Sequence, residues 1–298
     1  MEIERIEEQD RVVAFIDVLG FKDVMLSGDP ARRQSAIQLL RRVAGYGAKH
    51  GIRTNNLGHG AQEVFIYPEI TTFSDNIVLS APMTSASFRS ADIETPMFVT
   101  ALITSIVSIV WQGLHTGLLF RGAISTGRLY HDSKVVAGEG LVKAVAMEKE
   151  TIWPRIQVDR SLLMANDEHG TPILDDCTRN AVVTDSDGRL VLNTLAFHIG
   201  VWSDYKYFLT GNAGYTLADI RDGVRNIRSN IEANLSMLET AKAVTESPEQ
   251  LSGIAKALEK WEWVKDSFEL ALTREDWMSV LNSAGSPPTN IGLTHERD

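Results

Sequence analysis

One cysteine, Cys177, occurs in 298 residues, so no disulfide can close within the chain and a reducing compartment suits it. Positive charge is short as well. The 29 Lys and Arg stand against 39 Asp and Glu, and the formal net charge of −10 argues against nucleic acid or an anionic membrane as a broad partner. Aromatic residues make up only 7%. The one long apolar run, Met97 to Trp111, is short for a bilayer span and carries Thr100, Thr104, Ser105 and Ser108. With Gln112 these fall mostly at four-residue spacing, which gives a buried helix one thin polar stripe. The opening MEIERIEEQD is acidic and polar, unlike a secretory signal. No Gly-x-x-x-x-Gly-Lys-Ser/Thr, His-Glu-x-x-His or Cys-x-x-Cys occurs, and the seven histidines lack ligand spacing. The expectation is a soluble, cytoplasmic globular protein with no direct membrane insertion and no nucleic-acid partner.

What is present starts with Val12 to Ile16, apolar without alternation, which predicts a strand buried on both faces. Asp29-Pro30 opens a helix to about Lys49, with Ile37, Leu40, Val43 and Ala44 on its apolar face. Strands are expected at Glu63 to Tyr67, Thr72 to Ser80, Leu118 to Thr126, Val135 to Val136, Arg155 to Val158 and Leu190 to His198. A turn is expected at Gly127 to Asp132 and a helix at Gly138 to Glu150. Asp159 to Arg189 reads as a polar excursion. From Thr216, helical spacing of Leu217, Ile220, Val224, Ile227 and Ile231, then of Leu251, Ile254, Leu258, Trp261 and Phe268 after Ser247-Pro248, predicts a helical hairpin. The order of elements predicts an α+β, ferredoxin-like sheet with flanking helices. We expect that body over 1–215, the hairpin over 216–285 and a flexible tail over 286–298.

The chemistry centres on two carboxylates. Asp17 follows a buried run in "FIDVLGF", and Asp75 interrupts a strand-like run in "TTFSDNIVLS". In the expected topology both reach one sheet edge, where their repulsion calls for cations. Two divalent ions, Mn²⁺ or Mg²⁺, meet that need with hard oxygen ligands and leave room for substrate phosphates. The carbonyl of Val18 is a further ligand candidate. Backbone N–H groups of Leu19, Gly20 and Phe21 would face a triphosphate at the start of the next helix.

These stretches resemble the two metal motifs of class III nucleotidyl cyclases. "FRGAISTG", Phe120 to Gly127, resembles the family's Arg-x-Gly-Ile strand, and "VAGEGLVKAVAMEKE", Val136 to Glu150, falls where those enzymes begin a helix bearing transition-state groups. The ordered set spans roughly residues 10 to 160. It departs from purine cyclases: Thr71 stands where they usually carry a lysine, Val135 or Val136 where a second purine-reading residue falls, and Val142 to Met147 lacks their Asn and Arg. The variant is most similar to the pyrimidine cyclases of Pycsar anti-phage systems.

That resemblance implies a phosphorus–oxygen lyase that turns UTP, ahead of CTP, into the 3′,5′-cyclic nucleotide and pyrophosphate. It also implies a homodimer with sites at the interface and a separate effector that reads the cyclic product. Arg121 and Lys143 become candidate catalytic cations, and Tyr46, Tyr67 and Thr71 candidate base contacts. The alternative is an inactive, cyclase-like nucleotide sensor or interaction domain. Arg32, Arg33, Arg41 and Arg42 read as a solvated helix face, and Trp261 and Trp263 as packing groups.

Overall fold

The computed structural model describes residues 7–45, 52–55, 63–66, 68–83, 95–167, 169–194 and 217–273. Strand β1 (Gln9–Leu19) ends at Gly20, whose left-handed φ of 72° starts helix α1 (Phe21–Leu26). Helix α2 (Pro30–Ala44) begins as expected: Asp29 accepts hydrogen bonds from the N–H groups of Ala31 and Arg32, and Pro30 fills the first turn. Strands β2 (Ile52–Asn55) and β3 (Glu63–Ile66) form a separate two-stranded sheet. Strands β4 (Glu69–Phe73) and β5 (Asn76–Pro82) form a hairpin, followed by α3 (Thr95–Thr116), β6 (Leu119–His131), β7 (Val136–Gly138) and α4 (Glu139–Lys149). Then come β8 (Ile156–Val158), α5 (Arg160–Met164), α6 (Asp176–Asn180), β9 (Val182–Thr184), β10 (Leu190–Leu192), α7 (Leu217–Val244) and α8 (Pro248–Leu272).

The main sheet runs β4-β5-β1-β6-β8-β10-β9, with β7 paired to β6. Its first four strands are all antiparallel, in the ferredoxin-like order, and β6–β8 is the parallel pair. The fold class is therefore α+β. Alternation along β1 divides the faces. Val12, Ala14, Ile16 and Val18 enter the large core with α2 and α3, and Val224, Ile227 and Ile231 of α7 and Trp261, Val264 and Phe268 of α8 join the same cluster. The hairpin thus shares a core with the sheet. On the other face Val13 packs with Val78 and Leu129 against Leu141 of α4.

Several expected boundaries move. Thr72 to Ser80 is not one strand: a two-residue turn, Ser74-Asp75, splits it, and Ser74 takes a left-handed φ of 56°. Glu63 to Ile66 belongs to the small sheet rather than beside Thr72. The turn expected at Gly127 is instead continuous strand to His131, because two glycines let α4 lie against it: a Cβ on Gly127 would sit 2.8 Å from the Gly140 nitrogen. The real turn follows, where Asp132 accepts from the N–H groups of Lys134 and Val135. The polar excursion contributes β9 to the sheet edge, where Arg155 pairs with Asp185 and Asp187. Arg32 is not purely solvated, since it donates to Asn234 Oδ1 at 3.3 Å and so ties α2 to α7. Tyr46, Tyr67, residues 195–200 and the tail lie outside the described residues.

Candidate functional site

Asp17 is the last residue of β1 paired with β5, opposite Asn76, and it faces Arg121 on β6. Its neighbour Val18 donates its N–H to the carbonyl of Asp75 at 3.0 Å, which ties the β4–β5 turn to the end of β1. Asp75 is therefore held beside Asp17 by backbone, as the strand order requires. The left-handed Ser74 carries the local strain of that turn, a conformation that favours glycine and persists where surrounding structure fixes it.

Arg121 lies between two carboxylates. Its guanidinium is 3.6 Å from Asp17 Oδ2, pairs with Glu148 of α4, and donates to the Thr151 carbonyl at 3.1 Å. Glu148 is only 5% exposed, so it has little access to water and depends on Arg121. Even so, Arg121 Nε is buried without a hydrogen-bond partner, while Glu148 Oε1 is the atom that meets the Arg121 guanidinium. Lys260 of α8 is near enough for its charge to be felt by both Asp17 and Arg121. Trp263, one turn further along α8, stacks on Trp153 with ring centroids 6.1 Å apart and anchors that helix beside the Thr151 loop.

The balance at this sheet end favours negative charge. Asp17, Asp75 and Glu148 face Arg121 and Lys260. Burial, with the charges of Glu148 and then Asp75, pushes the Asp17 carboxyl up to about 6, against the opposing pull of Arg121 and Lys260. A carboxylate raised in this way gains from a cation, and the oxygen donors of Asp17, Asp75 and the Val18 carbonyl suit a hard divalent ion. No group of three or more His, Cys, Asp or Glu converges on a metal position among the described residues. Any bound ion would therefore take backbone, water or ligand oxygens as well.

The remaining sequence-derived residues separate. Leu19, Gly20 and Phe21 form the β1–α1 turn directly after Asp17, with open space at Gly20. Lys143 is not beside Asp17. It pairs with Glu139 at 2.7 Å and reaches the Thr126 carbonyl at 3.5 Å. Thr126 pairs with Val12, five residues back along β1, or roughly 16 Å at strand rise. Helix α4 enters against Gly127, so its first turn lies at the far end of β6 and its last turn, with Glu148, at the Asp17 end. Thr71 lies on β4, bonded to His131 at 2.9 Å. Glu148 and Lys260 were missed from sequence. Glu148 had a weak signal, as a charge on the face of α4 shared with Ala144, whereas nothing local distinguishes Lys260.

No family model matches the chain, and no curated protein does. Among solved structures it is similar to the catalytic core of a rhodopsin-guanylyl cyclase with converted specificity, in complex with ATPαS. The alignment has a TM-score of 0.39 and 11% identity, and covers 63% of this chain and 95% of that one. At that TM-score the likeness carries no argument about the site.

Proposed function

We propose that the chain is a nucleotidyl cyclase that converts a pyrimidine ribonucleoside triphosphate, UTP ahead of CTP, to its 3′,5′-cyclic nucleotide and pyrophosphate. The observation that carries this reading is the meeting of Asp17 and Asp75 at one sheet end, joined by the Val18 N–H to Asp75 carbonyl bond, with an excess of carboxylate charge. Asp17, Asp75 and the Val18 carbonyl would hold two divalent ions, Mn²⁺ or Mg²⁺. When bound, these lower the pKa of the attacking 3′-hydroxyl and neutralise the triphosphate. The β1–α1 turn, Leu19 to Phe21, offers backbone N–H groups to the phosphates, and the open space at Gly20 admits them closely.

Arg121 holds Asp17 through the 3.6 Å contact and is itself held by Glu148 and the Thr151 carbonyl, so it acts on Asp17 as a positioning residue. Lys260 takes the place proposed from sequence for Lys143, as a cation within electrostatic reach of the metal carboxylates. Lys143, paired to Glu139 away from Asp17, is assigned to the dimer interface, acting on the partner's site. A homodimer with shared sites, a separate effector for the cyclic product and a role in anti-phage defence complete the proposal. The sheet body and the helical hairpin are proposed as its two functional parts.

A second reading has one observation in its favour. Arg121 already neutralises part of Asp17, as in a nucleotide-binding domain that turns nothing over. One experiment separates the two: incubation with Mn²⁺ and each of the four ribonucleoside triphosphates, with products resolved by chromatography and mass. A cyclic pyrimidine nucleotide, lost in Asp75→Asn, supports the cyclase. Ligand-dependent thermal stabilisation without product supports the sensor.

A further inference from the structure

Between the sheet and α8 lies a cavity of about 410 Å³ that the cyclase reading leaves unused. Its inner wall is apolar: Leu119 and Phe120 of β6, Leu192 of β10 and Val264 of α8 are all buried core residues. Val183 of the edge strand β9 and Leu270 of α8 line the same cavity yet stand exposed, so apolar surface at its mouth meets water. The volume and the apolar walls are those of a small-molecule site.

One residue of the wall is charged, buried and incompletely satisfied. The Arg155 side chain is 5% exposed. One arm of its guanidinium pairs with Asp185 and the other with Asp187, whereas Nε is buried with no hydrogen-bond partner. A lone buried donor is costly, and a ligand oxygen in the cavity would relieve it. The charge of Arg155 needs nothing more, because two carboxylates already meet it. An anionic head would lose its hydration and face Asp185, which also lines the cavity, and an ammonium would face Arg155. The chemistry that fits is an uncharged acceptor, a hydroxyl or carbonyl oxygen, on an apolar body.

We propose that this cavity binds an uncharged, largely apolar small molecule whose hydroxyl or carbonyl oxygen accepts from Arg155 Nε, and that the bound molecule braces α8 and the loop 151–155. Both elements form cavity walls. Pro154 and Arg155 end the loop whose Thr151 carbonyl accepts from Arg121, and Arg121 lies 3.6 Å from Asp17. Trp263 and Val264 of α8 line the cavity, Trp263 stacks on Trp153, and Lys260 stands one turn earlier on the same helix. A molecule held between that loop and α8 restricts both at once, since it loses contacts if either moves away. Binding and bracing stand whether or not a nucleotide is turned over. Only their value as a control on catalysis rests on the cyclase reading above.

Calorimetric titration of the full chain at neutral pH uses four probes that share one body: phenylpropanol, propylbenzene, phenylpropanoate and phenylpropylamine. Phenylpropanol is expected to bind at one site, propylbenzene about tenfold more weakly for want of the Arg155 contact, and the two ions more weakly still. Ser267→Leu fills the cavity from α8 and should abolish binding while the melting temperature holds or rises. Ala271→Leu, a second filling from the same helix, should do the same and guards against misfolding of the first. Equal affinity for propylbenzene, tighter binding of either ion, no binding of any probe, or binding that survives both fillings overturns the site. With phenylpropanol bound, amide hydrogen exchange should slow over 151–155 and along α8 around Lys260, and unchanged exchange there overturns the bracing. Neither readout uses a nucleotide. A chain that makes no cyclic product therefore sinks the cyclase and leaves this inference standing, and failure of the probes leaves the cyclase untouched.

Discussion

Arg11 and Asp17 lie on one face of one strand, six residues apart, and each takes a charge out of water. At the Arg11 end the charge enters a relay in which Arg11 donates to Ser80, Ser80 Oγ meets His131 Nδ1 and His131 Nε2 meets Thr71. At the Asp17 end three carboxylates compete for Arg121 and Lys260, and the buried Arg121 Nε has no hydrogen-bond partner. The first end behaves as structure, since removal of any member would cost stability. The second holds unrelieved repulsion, which the protein keeps at a cost and which a bound cation would relieve.

The largest test breaks the crowded end. Arg121→Met leaves Glu148 buried without its cation and should cost about 3–5 kcal/mol in urea denaturation. A loss below about 1 kcal/mol would mean that Glu148 reaches water and that the crowding is slack.

Acid tests the other end. His131 has an ordinary value of 6.5 and, held down by burial and the Arg11 charge, a folded value of about 4, so the unfolded chain binds the extra proton between them. The stability that His131 contributes is present above 6.5 and is lost as pH falls towards 4, by up to about 3 kcal/mol. Comparison of native and His131→Phe chains over that range isolates the effect, and parallel curves would refute it.

Asp17→Asn should sharpen the contrast in the opposite direction. It removes one of the competing carboxylates, so in metal-free buffer near neutral pH the variant should gain about 1–2 kcal/mol by thermal melting, while the cyclase activity proposed above should be lost. A destabilised variant would show that Asp17 is a net structural partner of Arg121. The smallest expected change is Lys260→Gln. Loss of a half-buried cation near Asp17 should lower metal-free stability by less than about 1 kcal/mol, and triphosphate affinity should fall with it. Unchanged affinity would detach α8 from the site.

Some of this was readable before any fold was known. The buried run of β1, the Asp29-Pro30 helix start and the hairpin periodicity are local signals, each fixed by residues within a few positions of one another. Asp17 and Asp75 were readable because polar residues in apolar strand runs need a reason. The place of Lys143 early in α4 says nothing about which end of that helix meets Asp17. The close Gly127–Gly140 approach decides that.

By itself the sequence determined the α+β class, the two carboxylates and the helical hairpin, because periodicity and single breaks in it are properties of neighbouring residues. Tertiary structure alone decided which cations face those carboxylates. Arg121 reaches Glu148 through the packing of α4, Lys260 arrives from a helix some 240 positions after Asp17, and His131 of β6 meets Thr71 of β4 across two intervening strands. Charge and hydrogen-bond polarity act through space and depend on burial, so the partners that set them are chosen by packing rather than by nearness along the chain.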